Sequence, residues 1–172
     1  MLDLTPTIAG IRFPFCLMNA AGALSTSREE LLALTHSESG AVVTKSITPD
    51  SFLDPGACCG LENPGHEYYV ELLPALRRAG KPVIASVAGL TIEEFILVAQ
   101  ALAAAGADLI EINLNDPHVH THLSPFSSAG RLGEIVSVIR HQISAPLAVK
   151  LPPTVPLPLP AGGRSRSRPL ER

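Results

Sequence analysis

Short apolar runs and amphipathic stretches take turns along most of the chain. Phe15-Cys16-Leu17-Met18-Asn19 reads as a strand that closes on Asn19-Ala20-Ala21-Gly22. Ser27 is an N-cap type with Glu29 and Glu30 behind it, which predicts a helix to about Thr35. Gly40-Ala41-Val42-Val43-Thr44 is the next strand, with Lys45 at its carboxyl end. A Pro/Gly-rich loop from Thr48 to about Gly65 leads to a helix expected over about Glu67 to Ala79. Pro82 to Val87 reads as a strand, and Thr91 caps a helix to about Ala105, with Glu93 and Glu94 in its first turn. Asp108 to Asn113 is a further strand. A His-rich loop over residues 116–122, a helix over about 129–142 and a strand from Pro146 to Lys150 complete the pattern.

This alternation argues for parallel strands joined by right-handed crossovers. It fits both a (β/α)8 barrel and an open doubly wound sheet. Polar residues gather at or just past the strand ends: Asn19, Lys45, Ser86, Asn113 and Lys150. In (β/α)8 barrels the active site lies on that face. A full barrel takes about 250 residues, so the expectation is a partial barrel built from the first four to five β/α units.

Composition narrows the function classes. Hydrophobic residues make up 46% of the chain and aromatic ones only 4%, so Leu, Val, Ile and Ala form the core, as in a helix-covered parallel sheet. The net charge of −3 gives no broad basic field for nucleic acid. The longest apolar run, Leu97 to Ala105, contains Gln100 and is too short for a bilayer, so no membrane partner is expected. The first residues lack a basic start and an apolar stretch, so no signal peptide is expected. Cys16, Cys58 and Cys59 form no paired framework and no metal-ligand spacing, which points to reduced thiols in a cytoplasmic protein. His118, His120 and His122 alternate on a loop, and no metal site is expected from so loose a pattern.

Five motifs in order resemble the class 1A dihydroorotate dehydrogenases. They are Asn19-Ala20-Ala21-Gly22, Thr44-Lys45-Ser46, Gly60-Leu61-Glu62-Asn63-Pro64-Gly65 with Tyr68-Tyr69, Asn113-Leu114-Asn115-Asp116-Pro117-His118-Val119, and Val149-Lys150-Leu151-Pro152-Pro153. The resemblance covers residues 1–153. It implies an FMN-holding (β/α)8 barrel that oxidises dihydroorotate to orotate in pyrimidine synthesis, in a family of cytosolic homodimers that use fumarate. It further implies that Ala20, Ala21, Gly22, Lys45, Ser46, Asn113 and Lys150 contact the flavin. Lys45, Gly60, Leu61, Asn113 and His118 fall at substrate-contacting positions. Cations beside the flavin stabilise charge on the reduced ring, and small residues let the backbone approach it.

The sequence departs from the family pattern at the chemistry. The fourth motif usually reads Asn-x-Ser-Cys-Pro-Asn, with Cys as the base; here Asp116 stands at the Cys position, Asn115 at the Ser position and His118 at the second Asn. Asp116 is the candidate base, and a carboxylate of ordinary pKa, about 3.9, is a weak one unless burial raises it. The third motif usually starts with a substrate-binding Asn, where Ala57 stands. Each lost hydrogen bond to a pyrimidine costs about 1–3 kcal/mol where its partner is buried.

Past Pro153 the character changes. Pro156, Pro158 and Pro160 alternate with Leu, and Arg164, Arg166 and Arg168 alternate with Ser, which predicts a disordered Pro/Arg-rich tail over 154–172. Four of the 13 basic residues and one of the 16 acidic ones lie there, leaving residues 1–153 at −6. So abrupt a switch is what a truncation or frame change produces. Three readings therefore stand: a truncated dihydroorotate dehydrogenase-like oxidoreductase, an inactive half-barrel remnant, or a divergent flavoenzyme acting on another pyrimidine-like ring.

Overall fold

The structure, a computed structural model, describes residues 3–51, 62–115 and 129–151. An antiparallel hairpin comes first, β1 (Thr7–Ile8) and β2 (Ile11–Arg12), followed by a 3-10 turn at Ala23–Ser25. Then α1 (Arg28–His36), β3 (Val42–Val43), α2 (His66–Arg77), β4 (Val83–Val87), α3 (Ile92–Ala104), β5 (Leu109–Asn113), α4 (Ala129–Gln142) and β6 (Leu147–Lys150) alternate. The four later strands form one parallel sheet in the order β3-β4-β5-β6.

Two features distinguish the architectures that alternation left open. Spatial order follows chain order, with no reversal. The helices also share one face of the sheet: Leu31, Tyr69, Phe95 and Ile139, from α1 to α4, pack in one core with Val42, Val83, Ala85, Ile110 and Ile112 of the strands. A doubly wound sheet reverses its strand order and carries helices on both faces. A singly wound sheet with helices outside is a segment of a (β/α)8 wall, and among the described residues it is open rather than closed.

Local signals explain the helices. The Ser27 hydroxyl accepts from the Glu30 amide, and the Glu30 carboxylate accepts from the Ser27 amide, a reciprocal capping box. Thr91 caps α3 by accepting from the Glu94 amide. On α3, Phe95, Val98, Ala99 and Leu102 are buried, and on α2, Tyr69, Leu72, Leu73 and Leu76 repeat that spacing. Each Leu or Phe so buried contributes about 1.5–3 kcal/mol.

The other face of the sheet changes character along the strands. Ala41, Val43, Ile84 and Leu109 form a second apolar cluster, and Phe13, 1% exposed, covers it from the segment after the hairpin. The amino-terminal end of this inner face is thereby plugged. Its carboxyl-terminal end is polar.

The strand expected over Phe15–Asn19 does not form. This segment runs beside β3, but it is held by the Leu17 carbonyl, which accepts from the Gly40 amide at 2.8 Å, and by the Asn19 side chain. The Asn19 amide group accepts from the Val43 N–H at 2.9 Å and donates to the Val43 carbonyl at 2.7 Å. One side chain thus does the work of a backbone ladder. The hairpin before it was not anticipated, because Ala9 takes φ 52 in its turn, where Asn or Gly is the usual signal. The tail over 154–172 and the cysteine pair Cys58 and Cys59 lie outside the described residues.

Gly40 is where the Phe15–Asn19 segment presses on β3: an added methyl group would overlap the Phe15 carbonyl oxygen and sit 2.8 Å from its carbon. Gly40→Ala is expected to lower stability by about 1–3 kcal/mol in a denaturant melt; an unchanged midpoint would mean the segment is not packed there. Acid should act through Glu30. The Ser27 and Thr26 amides hold its carboxyl below the usual value of 4.5. Its contribution is therefore complete above about 4.5 and is lost as pH falls through the lowered value. Glu30→Gln should flatten the acid limb of a stability–pH curve, and a curve that keeps its slope would remove Glu30 as the cause.

Candidate functional site

Alternation along the strands sends Ser86, Glu111, Asn113 and Lys150 to the inner face, above the apolar cluster, while Val87, Ile112 and Val149 between them face the helices. Ser86 and Glu111 are partners in register, as are Asn113 and Lys150. Ala148 stands opposite Glu111 and, being small, leaves room for the carboxylate to cross to the lysine above it.

A bulge adds a further polar residue. Val43 pairs with Ile84, but Ile47 bridges Val87, so β3 gains one residue between these points. The ladder shows how. Thr44 bonds Ile84 normally, then its hydroxyl, not its carbonyl, receives the Ser86 N–H at 3.1 Å, and the Ser86 carbonyl accepts from Ile47. The Lys45 amide leaves the sheet altogether and donates to Ser25 at 2.8 Å. Ser46 is thereby turned toward the inner face. Its carbonyl accepts from Asn63, whose own side-chain oxygen receives the Gly65 amide at the start of α2.

The inward side chains form a connected row. Asn113 Nδ2 donates to Ser46 Oγ at 2.7 Å, Ser46 and Ser86 hydroxyls meet at 3.1 Å, and Ser86 donates to Glu111 Oε1 at 2.8 Å. Lys150 Nζ lies 3.1 Å from the same oxygen. Thr44, Lys45, Ser86 and Asn113 are buried. Polar groups taken from water at a strand end need partners, and among the described residues no buried side-chain nitrogen or oxygen lacks one.

The sequence-predicted residues fall into three groups. Ser46, Asn113 and Lys150 are brought together in the row, and Lys45 is next to Ser46 on the bulge. Ala20, Ala21 and Gly22 follow the Asn19 clamp at the same end of the sheet. Gly22 is extended (φ −176), and a Cβ there would meet only the Ala20 carbonyl oxygen, at 3.9 Å. Neither its own backbone nor packing demands glycine, so the space beside it is open. Gly60, Leu61, Asp116 and His118 lie outside the described residues. Among those described, no group of three His, Cys, Asp or Glu could hold a metal, and no helix is long and apolar enough to cross a membrane.

Sequence reasoning missed Glu111 and gave Ser86 no role. The signal was present: between Ile110 and Ile112, both facing the helices, Glu111 has to face inward with Asn113. Its partners depend on register, which the sequence does not display.

The family profile described as dihydroorotate dehydrogenase matches residues 57–157. The catalytic subunit of a dihydroorotate dehydrogenase B (NAD(+)) from Thermoplasma acidophilum is 34% identical over 171 aligned residues, covering 90% of this chain and 56% of that protein. A protein named for dihydroorotate dehydrogenase A (fumarate) in Streptococcus equi subsp. equi is 32% identical, over 89% of this chain and 54% of its own length. The chain spans about half the length of the relatives it matches. Among solved structures, the 6-hydroxypseudooxynicotine amine oxidase of Pseudomonas geniculata N1 superposes with a TM-score of 0.58 at 14% identity, over 86% of this chain and 31% of that one, a likeness of fold alone.

The bulge rests on the Thr44 hydroxyl. Thr44→Val keeps the shape but leaves the buried Ser86 N–H without its acceptor. A loss of about 1–3 kcal/mol is expected by chemical denaturation. A neutral substitution would show that the ladder can re-form without the bulge.

Proposed function

The chain belongs to the dihydroorotate dehydrogenase family, and on that footing we propose that it supplies the flavin-facing strand ends of a dihydroorotate dehydrogenase-like oxidoreductase. Its substrate is a dihydroorotate-like pyrimidine, oxidised across a ring CH–CH bond to the orotate-like product, in pyrimidine biosynthesis. Residues 1–153 form the unit that does this, and 154–172 are a tail outside it. A cytoplasmic location and a homodimer, as in the class it resembles, belong to the same proposal. The matched relatives include proteins named for NAD(+) and for fumarate, so the resemblance extends to both acceptor types.

The observation that carries the reading is the row that joins Asn113, Ser46, Ser86, Glu111 and Lys150 at the strand ends, with Lys45 next to Ser46 in the chain. That set fits FMN by its chemistry. Small residues at Ala20, Ala21 and Gly22 admit a flat ring, Ser46 and Asn113 hydrogen-bond it, and Lys45 and Lys150 set positive charge beside it. When bound, FMN supplies the acceptor for the hydride that leaves the substrate. The chain's own part is to orient the ring, with Asn113 as a donor shared between cofactor and substrate and Lys45 beside both. Asp116 removes the proton from the neighbouring carbon, in the place where the family has Cys. Gly60, Leu61 and His118 stand at the family's substrate-contacting positions and are assigned to the substrate on that resemblance alone.

A second reading is favoured by the changed residues Ala57, Asn115, Asp116 and His118, which alter the groups expected to read the pyrimidine. Under it the flavin chemistry is kept and the ring substrate differs. A third, a half-barrel remnant, keeps the shape of the site without turnover.

A fluorescence titration of the chain with FMN separates these. Saturable quenching is expected, weakened about tenfold or more in Lys150→Ala, the loss of one hydrogen bond from a charged donor. Gly22→Val should keep its stability within about 0.5 kcal/mol while losing the flavin. No quenching at millimolar FMN would leave only the remnant reading. Oxidation of another dihydropyrimidine in preference to dihydroorotate would select the second.

A further inference from the structure

The row at the strand ends has a direction. A carboxylate only accepts, so the Ser86 hydroxyl donates to Glu111 Oε1. Ser46 Oγ accepts from Asn113 Nδ2, which leaves its hydrogen for Ser86. The Asn113 amide cannot be turned over, because its Oδ1 receives the Asn115 backbone N–H at 3.0 Å. Every donor from Asn113 to Ser86 therefore points the same way, and the arrow ends on one carboxylate oxygen. Lys150 meets that same oxygen from the next strand, at 3.1 Å.

We propose that Glu111 is the positioning residue of the site: its carboxylate holds Lys150 in place and, through Ser86 and Ser46, braces the Asn113 side chain, whose amide the Asn115 N–H orients, so that a ligand over the strand ends meets an N–H donor. The assignment deepens the flavin reading and rests on it for what the ligand is, but the arrangement itself is a property of the chain alone. Glu111 touches no ligand in this scheme and acts through its neighbours. Its side chain is 21% exposed and that of Lys150 is 32% exposed, so the pair is partly shielded from solvent and screening. Networks that share one acceptor lose more than one bond when the acceptor goes.

The chain's lysine count makes the test selective. There are three: Lys45, Lys81 and Lys150. Lys81 donates to carbonyls at the end of α1, before the amino-terminal end of β4 and so at the opposite end of that strand from Ser86, and serves as an internal control. An amine held against a carboxylate acylates more slowly than one released to solvent.

The experiment uses the full chain without added cofactor. Limited acetylation with acetic anhydride, read by mass spectrometry, gives the rate at each lysine, and a 15N spectrum reports the side-chain NH2 pair of Asn113. In Glu111→Gln, Lys150 is expected to acetylate about fivefold faster relative to Lys81, the scale of one partly exposed ion pair. The Asn113 NH2 signals should shift with it, while the melting temperature is kept. Ser86→Ala cuts the row between Ser46 and Glu111 but spares the ion pair. It should move the Asn113 NH2 signals and leave the Lys150 rate unchanged.

A uniform rise at all three lysines in Glu111→Gln would mean general loosening and would overturn the positioning role. So would an Asn113 NH2 pair that neither variant moves. If both variants behave as expected and the unsubstituted chain still takes up no FMN, the positioning role stands and the flavin reading falls.

Discussion

In a β-strand, successive side chains point to opposite faces, and most of what this chain presents depends on that alternation. Val83, Ala85 and Val87 on β4 and Ile110 and Ile112 on β5 go to the helices, so the residues between them have no choice but the inner face. Toward the amino ends those are Ile84 and Leu109, which make an apolar floor under Phe13. Toward the carboxyl ends they are Ser86, Glu111, Asn113 and Lys150. Groups so polar, over so apolar a floor, are stable only when they satisfy one another. The continuous row from Asn113 to Lys150 is the result. The bulge at Lys45 and Ser46 is the single departure from alternation in β3, and it adds a hydroxyl to the row at the point where Ser86 and Asn113 need one.

The amino-terminal segment serves the same end by other means. Asn19 occupies the free edge of Val43 with a side-chain amide where a strand would use its backbone. Gly40 lets that segment come close. The chain is then free to turn at Ala20-Ala21-Gly22 without breaking a ladder, and a side chain added at Gly22 would meet only the Ala20 carbonyl oxygen. The Ser25 carbonyl, a few residues on, receives the Lys45 amide that the bulge releases. Floor, clamp, turn and bulge are therefore linked through a handful of backbone contacts.

Much of the fold was legible in the sequence because its signals are local. Ser27 with Glu30, and Thr91 with Glu94, mark helix starts through bonds that span three residues. The apolar runs ending at Val87, Asn113 and Lys150 mark strands because both faces of a buried parallel strand are covered. Phe15–Asn19 was misread for a physical reason: the run is apolar, but its pairing is done by an amide side chain. The site was half legible. Lys45, Ser46, Asn113 and Lys150 stood out through motif context, whereas Glu111 and Ser86 acquire their roles only when β4, β5 and β6 fall into register across 25 and 37 residues of separation.

The claim that matters most is that the polar strand ends form a flavin surface. The measurement that reaches it most directly is a map of backbone amide shifts in the 15N-labelled chain as FMN is added. The account predicts saturable changes confined to residues 20–22, 45–46, 86, 111–113 and 150, with the floor around Phe13 and the helix-facing residues unmoved. Changes concentrated elsewhere, or none at any concentration, would contradict it.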